Sequence, residues 1–124
     1  ERGISLASHD DATQAHVQEA RSDGMSIAEF PTTVEAAQAS RKQGMSVMMG
    51  GPNVVRGGSH SGNVSARDLA DKDVLDIISS DYVPSSLLHA AFLRAFFLRV
   101  LFPPAVFWQA HRLRYCHYCF QLCS

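Results

Sequence analysis

The chain has 124 residues, 46% of them hydrophobic and 19% charged, with 11 Lys+Arg against 12 Asp+Glu. This composition excludes a disordered polypeptide, and the net charge of −1 gives no electrostatic footprint for nucleic acid. No segment reaches the roughly 18–20 apolar residues of a membrane span and no signal peptide opens the chain. It starts at Glu1 rather than Met, and so reads as part of a longer protein.

A compositional seam divides the chain into residues 1–92 and 93–124. All 12 acidic residues lie between Glu1 and Asp81 and all 8 glycines between Gly3 and Gly62. The last 32 residues hold eight of the eleven aromatics and all three cysteines.

Within residues 1–92 the tetrads Gly3-Ile4-Ser5-Leu6, Gly24-Met25-Ser26-Ile27 and Gly44-Met45-Ser46-Val47 recur at spacings of 21 and 20 residues. Each glycine is suited to end a helix in the left-handed conformation. Each opens a short apolar run of buried-strand type, predicting strands at Ile4–Ala7, Met25–Ala28 and Met45–Met49. The stretches Ala12–Asp23 and Thr33–Gln43, rich in Ala, Gln, Glu and Arg, predict the helices between them. Thr32-x-x-Glu35 reads as a capping box for the second helix. After a loop, Ser65-x-x-Asp68 starts a short helix, and Val74–Ile78 reads as a fourth strand.

The order strand–helix–strand–helix–strand–loop–helix–strand predicts an α/β protein with a parallel sheet. Successive units of about 20 residues suit a (β/α)8 barrel better than a doubly wound sheet. A complete barrel takes roughly 200 residues or more, so only its late strands would be present. Polar clusters follow each predicted strand: Ser8–Asp11, Glu29–Thr32, Gly50–Asn53 and Ser80–Tyr82. In parallel α/β folds the carboxyl ends of the strands share one face, and that face carries the site.

His9, beside two carboxylates, has the chemistry of a metal ligand, or packs beside an Asp10 or Asp11 that caps the next helix. Asp81 ends an apolar strand and is either a metal ligand and proton acceptor or a turn residue. The stretch Gly50–Asn63 contains five Gly, two Ser, two Asn, one Arg and one His. Its glycines let backbone N–H groups converge on an anion, and Arg56 presents a planar fork to phosphate oxygens. Asn53, Ser59 and Asn63 add hydrogen-bonding groups, while His60 either contacts phosphate, protonates a leaving group or faces water. The Gly-Lys-Ser/Thr ending of a P-loop is absent. His16 and His89 read as ordinary helix-face histidines.

Four motifs in order carry a family resemblance: Leu6–Thr13 (LASHDDAT), Ile27–Thr33 (IAEFPTT), Met49–Asn63 (MGGPNVVRGGSHSGN) and Ser79–Leu88 (SSDYVPSSLL). Together they resemble the C-terminal part of the phosphonate-metabolism diphosphatases of the carbon–phosphorus lyase pathway, metal-dependent members of the amidohydrolase superfamily. The resemblance covers roughly residues 1–92. It implies a phosphoanhydride hydrolase of a partial TIM-like barrel, cytoplasmic, acting on α-D-ribose 1-methylphosphonate 5-triphosphate. It implies a divalent metal, Zn²⁺ with Mn²⁺ or Ni²⁺ as alternatives, held in part by His9 and Asp81. Asp81 would also accept a proton, His60 would act in catalysis, and Arg56, Asn53, Ser59 and Asn63 would bind the triphosphate.

The ligands of earlier barrel strands are absent, so the chain alone is expected to be inactive and, with open sheet edges, to self-associate. A noncatalytic α/β domain holding phosphorylated ligands on its glycine-rich loop is the competing reading. In the tail, Cys116-x-x-Cys119 with Cys123, His111 and His117 falls short of a zinc motif. The simplest account of residues 93–124 is a shifted reading frame or a join to unrelated sequence, with no strand pattern of its own.

Overall fold

The computed structural model describes residues 4–59, 61–101 and 114–115. His60, Gly3 and the tail residues His111, Cys116, His117, Cys119 and Cys123 lie outside the described residues. Five strands form one parallel sheet in sequential order: β1 (Ala7–His9), β2 (Ile27–Glu29), β3 (Ser46–Gly50), β4 (Ile77–Ser79) and β5 (Arg114–Tyr115). The helices are α1 (Gln14–Ser22), α2 (Val34–Lys42), α3 (Gly51–Arg56), α4 (Ala66–Asp71) and α5 (Ser86–Leu101).

Helix ends follow from local hydrogen bonding. The Thr13 and Thr33 side chains accept from the backbone N–H groups of His16 and Ala36, which have no partner inside their helices. The N-cap of α2 is therefore Thr33 and not Thr32; Thr32 instead hydrogen-bonds to Asp11 O through its backbone N–H at 2.9 Å. Ser65 caps α4 as its motif predicts, accepting from Asp68 N at 3.0 Å.

At their other ends α1 and α2 close identically. Gly24 N donates to Arg21 O and Met25 N to Ala20 O; Gly44 N donates to Arg41 O and Met45 N to Ser40 O. These are Schellman motifs, with the glycines at φ +84° and +76°. Helix α4 ends the same way through Asp73 at φ +56°, with Asp73 N on Ala70 O and Val74 N on Leu69 O. The repeat thus has a further copy, hidden in the sequence because an aspartate stands at the left-handed position.

The observed strands begin one to three residues later than the apolar runs predict. Met25, Met45, Val74 and Leu75 pack under the helices rather than pairing in the sheet. The register places Ala28 beside Val47 and Met49 beside Ile78 on one sheet face. That face carries both cores: Val17, Ala20, Ala28, Ala36 and Met45 between α1 and α2, and Val47, Met49, Leu69, Ile78 and Ala90 beneath α2, α4 and α5. A doubly wound sheet would bury both faces under helices. Sequential parallel order with these helices on a single face is compatible with a partial barrel.

On the opposite face burial falls from β4 to β1. Ser79 and Met48 are buried, Ile27 and Glu29 half-buried, and Ala7 and His9 exposed. Below the sheet, Asp76 accepts from Arg41 and from Val47 N at 3.0 Å, tying α2, β3 and β4 together.

One feature departs from expectation and another bears on the compositional seam. The tail contributes β5, with Arg114 beside Ile77 and Tyr115 beside Ile78, a pairing too short for any periodicity to reveal. Helix α5 also runs through position 92, so the compositional seam falls inside a helix. Among the described residues no helix is long and apolar enough to cross a membrane.

Candidate functional site

At the carboxyl ends of the strands the connecting loops are stitched in series. Thr32 N and Thr33 Oγ1 donate to Asp11 O and Ala12 O at 2.9 Å, and Val64 N donates to Thr32 O at 3.0 Å. These bonds bring the β1–α1, β2–α2 and α3–α4 connections together around a cavity of about 250 Å³. Asn53, Arg56, Ser59, Asn63 and Asp81, all singled out from the sequence, line it.

Six residues of the glycine-rich stretch, Gly51–Arg56, are helix and not loop. Pro52 in the first turn of α3 has the φ a helix start requires, and Gly57 at φ +79° closes the helix after Arg56. Arg56 therefore projects from the last turn of a packed helix, where its position is better defined than on a free loop. Asn53, on the same helix, accepts from Ala66 N through Oδ1 at 2.8 Å, which anchors the start of α4. That bond assigns the amide orientation and leaves the Asn53 NH₂ group as the donor for a ligand. Ser59 Oγ lies 2.9 Å from Ser61 Oγ and accepts from Ser61 N at 3.2 Å, shaping the turn that follows.

Asp81 sits opposite, in the left-handed region at φ +52°, with Oδ1 accepting from Tyr82 N at 2.9 Å. Its carboxylate lies against the end of β3: a Cβ on Gly50 would meet Asp81 Oδ2 at 2.8 Å. Only glycine at position 50 lets the carboxylate approach this closely.

Asp10, Phe30 and Tyr82 also line the cavity, although the sequence did not single them out as binding residues. Asp10 and Phe30 share the positive φ of Asp81, at +58° and +53°, and each directly follows a strand, whereas Ser80 separates Asp81 from β4. A left-handed residue at a strand end breaks the alternation of side chains, and all three line the same cavity. An aspartate directly after a strand is the signal that could have revealed Asp10, since Asp tolerates this backbone.

His9 is not among the lining residues. Its side chain is 57% exposed, with Nδ1 3.1 Å from Asp10 Oδ2 and its ring edge-to-face with Phe30 at 5.4 Å. Asp81 is in the cavity and His9 outside it, and no group of three His, Cys, Asp or Glu side chains among the described residues is placed to hold a metal ion. The described residues by themselves therefore do not fit a hydrolytic metal centre, which takes three protein ligands and a water. Around one space they set one guanidinium, an amide donor, hydroxyls and the two carboxylates of Asp10 and Asp81.

No family model and no solved structure matches the chain. Over 77 residues, 62% of its length, it is 69% identical to the alpha-D-ribose 1-methylphosphonate 5-triphosphate diphosphatase of Escherichia coli (strain K12). The match covers 20% of that protein, so the chain spans about a fifth of the length of the curated relative it matches. The resemblance carried by the four motifs is borne out, and the chain is similar to one section of that diphosphatase.

Proposed function

We propose that this chain is a section of a diphosphatase that hydrolyses α-D-ribose 1-methylphosphonate 5-triphosphate to the 5-phosphate and diphosphate, in the cytoplasm. The observation that carries the reading is the 69% identity over 77 residues. The cavity supports it, because the polar residues of three separate motifs converge there. Arg56 and the Asn53 amide bind triphosphate oxygens, joined by Ser59 and Asn63. The Asp81 carboxylate keeps an oxygen for accepting a proton from the attacking water, and His60 takes part in the proton transfers.

The divalent metal implied by the resemblance, Zn²⁺, Mn²⁺ or Ni²⁺, would supply Lewis-acid activation of water when bound. His9 and Asp81 would be two of its ligands, with the rest coming from strands outside this chain. The open edge of β1 leaves a parallel strand with no outer neighbour among the described residues, which favours self-association of the isolated chain.

The test is in the complete enzyme supplied with metal. His9→Ala and Asp81→Asn are each expected to lower diphosphate release by orders of magnitude. Near-normal turnover in both variants overturns the assignment. The 124-residue chain alone, given the same metals and substrate, is expected to release no diphosphate. Metal-independent binding of triphosphate, with no hydrolysis in the complete protein, would favour a noncatalytic phosphate-binding domain instead.

A further inference from the structure

We propose that Tyr82 is a specificity-determining residue whose ring packs against the sugar next to the phosphates, so that the site takes a ribosyl triphosphate in preference to one without a sugar. The inference rests on the reading of the cavity as a triphosphate site. That reading puts Arg56 and Asn53 on the phosphate chain and Asp81 at the attacking water. Release of diphosphate breaks the anhydride between the first and second phosphorus atoms, and the first stays on the sugar. The sugar is therefore joined through one oxygen to a phosphorus atom of the broken bond. Side chains that border Asp81 are the ones it meets.

Tyr82 directly follows Asp81, lines the same cavity and donates its backbone N–H to Asp81 Oδ1 at 2.9 Å. It stands in a turn closed by Val83 N on Ser80 O at 3.2 Å. The buried Ser86 hydroxyl braces that turn, with Oγ 3.1 Å from Ser80 O and 2.6 Å from Val83 O. The backbone is thus held on both sides while Tyr82 itself is left 60% exposed. Phe92 is as exposed but is not among the residues lining the cavity.

A tyrosine on a fixed backbone has two side-chain torsions to restrict, so it offers a large apolar face with a polar tip at small entropic cost. Ribose has the matching surface, with C–H groups on its faces and hydroxyls at its rim. The cavity wall has further carbon to cover in Phe30, Pro31, Pro52 and Val64. A triphosphate carries no carbon and makes no use of that wall, whereas apolar walls with a few polar groups are usual for sites that hold an organic ligand.

Calorimetric titration of the 124-residue chain with ribose 5-triphosphate and with methyl triphosphate isolates the sugar, because the two esters carry the same phosphate charge. The parent is expected to bind the ribose ester about tenfold more tightly. Tyr82→Ala should bring the two affinities together by weakening the ribose ester alone, and Tyr82→Phe, which keeps the ring, should retain the parental preference. Cooperative melting confirms that each variant is folded, and Tyr82→Ser replaces Tyr82→Ala if the latter does not fold. Equal affinities in the parent, or the parental preference in folded Tyr82→Ala, overturn the proposal and leave the phosphate reading standing. Equal weakening of both esters in Tyr82→Ala, or loss of the preference in Tyr82→Phe, overturns it as well. A parent that binds neither ester overturns the phosphate reading and the proposal with it.

Discussion

At the amino ends of β2, β3 and β4, left-handed residues stop helices: Gly24, Gly44 and Asp73 each complete the same pair of hydrogen bonds. At the carboxyl ends of β1, β2 and β4, left-handed residues set side chains around the cavity: Asp10, Phe30 and Asp81. The backbone conformation is shared and the use is opposite. Below the sheet it repeats, because ending a helix needs the same geometry every time. Above the sheet each residue differs, and the cavity is lined by different chemical groups around one space. Helix termination and cavity lining thus fall at opposite edges of the sheet, as parallel α/β architecture allows.

Substitutions at the two ends should separate these roles. The largest loss of stability is expected for Asp76→Ala, below the sheet. It leaves the Arg41 guanidinium and the buried Val47 N–H without their acceptor, at a cost of about 2 kcal/mol. Urea denaturation measures this, and affinity for inorganic tripolyphosphate should be unchanged. Next comes Gly50→Ala, where the new Cβ presses on Asp81. A loss of about 1–2 kcal/mol is expected, together with weaker tripolyphosphate binding, because the close approach belongs to the cavity.

Gly44→Ala meets no atom within 4 Å, so its cost is conformational alone, about 1 kcal/mol, with binding again unaffected. The smallest effect on stability, under about 0.5 kcal/mol, is expected for the exposed Arg56→Ala. Calorimetric titration with tripolyphosphate should nevertheless show roughly tenfold to hundredfold weaker binding, since a charge-assisted phosphate contact is lost. If Asp76→Ala weakens binding as much as Arg56→Ala does, the separation of the two ends is wrong.

Much of this organisation is local and therefore legible without a structure. The order of strands and helices, the glycine stops at 24 and 44 and the Ser65 cap each depend on residues a few positions apart. A helix end satisfies its own hydrogen bonds, so short-range chemistry determines it. Asn53, Arg56, Ser59, Asn63 and Asp81 were also visible as candidates, because four spaced motifs together resemble one family.

Partners distant in the chain decided the rest. The strands lie later than the apolar runs because pairing begins where neighbouring backbones meet, whereas apolar residues before the ladder pack beneath helices. Asp10 N donates to Glu29 O and Phe30 N to Met48 O, each across to the next strand. Those bonds help hold the left-handed residues at the strand ends, and no pattern within β1 or β2 contains them. The same geometry brings Asp10 into the cavity and leaves His9 outside, although both follow from the same four letters, Ser8-His9-Asp10-Asp11. Sequence specified which groups stand at the carboxyl edge of the sheet; cross-strand hydrogen bonding decided which of them face one another.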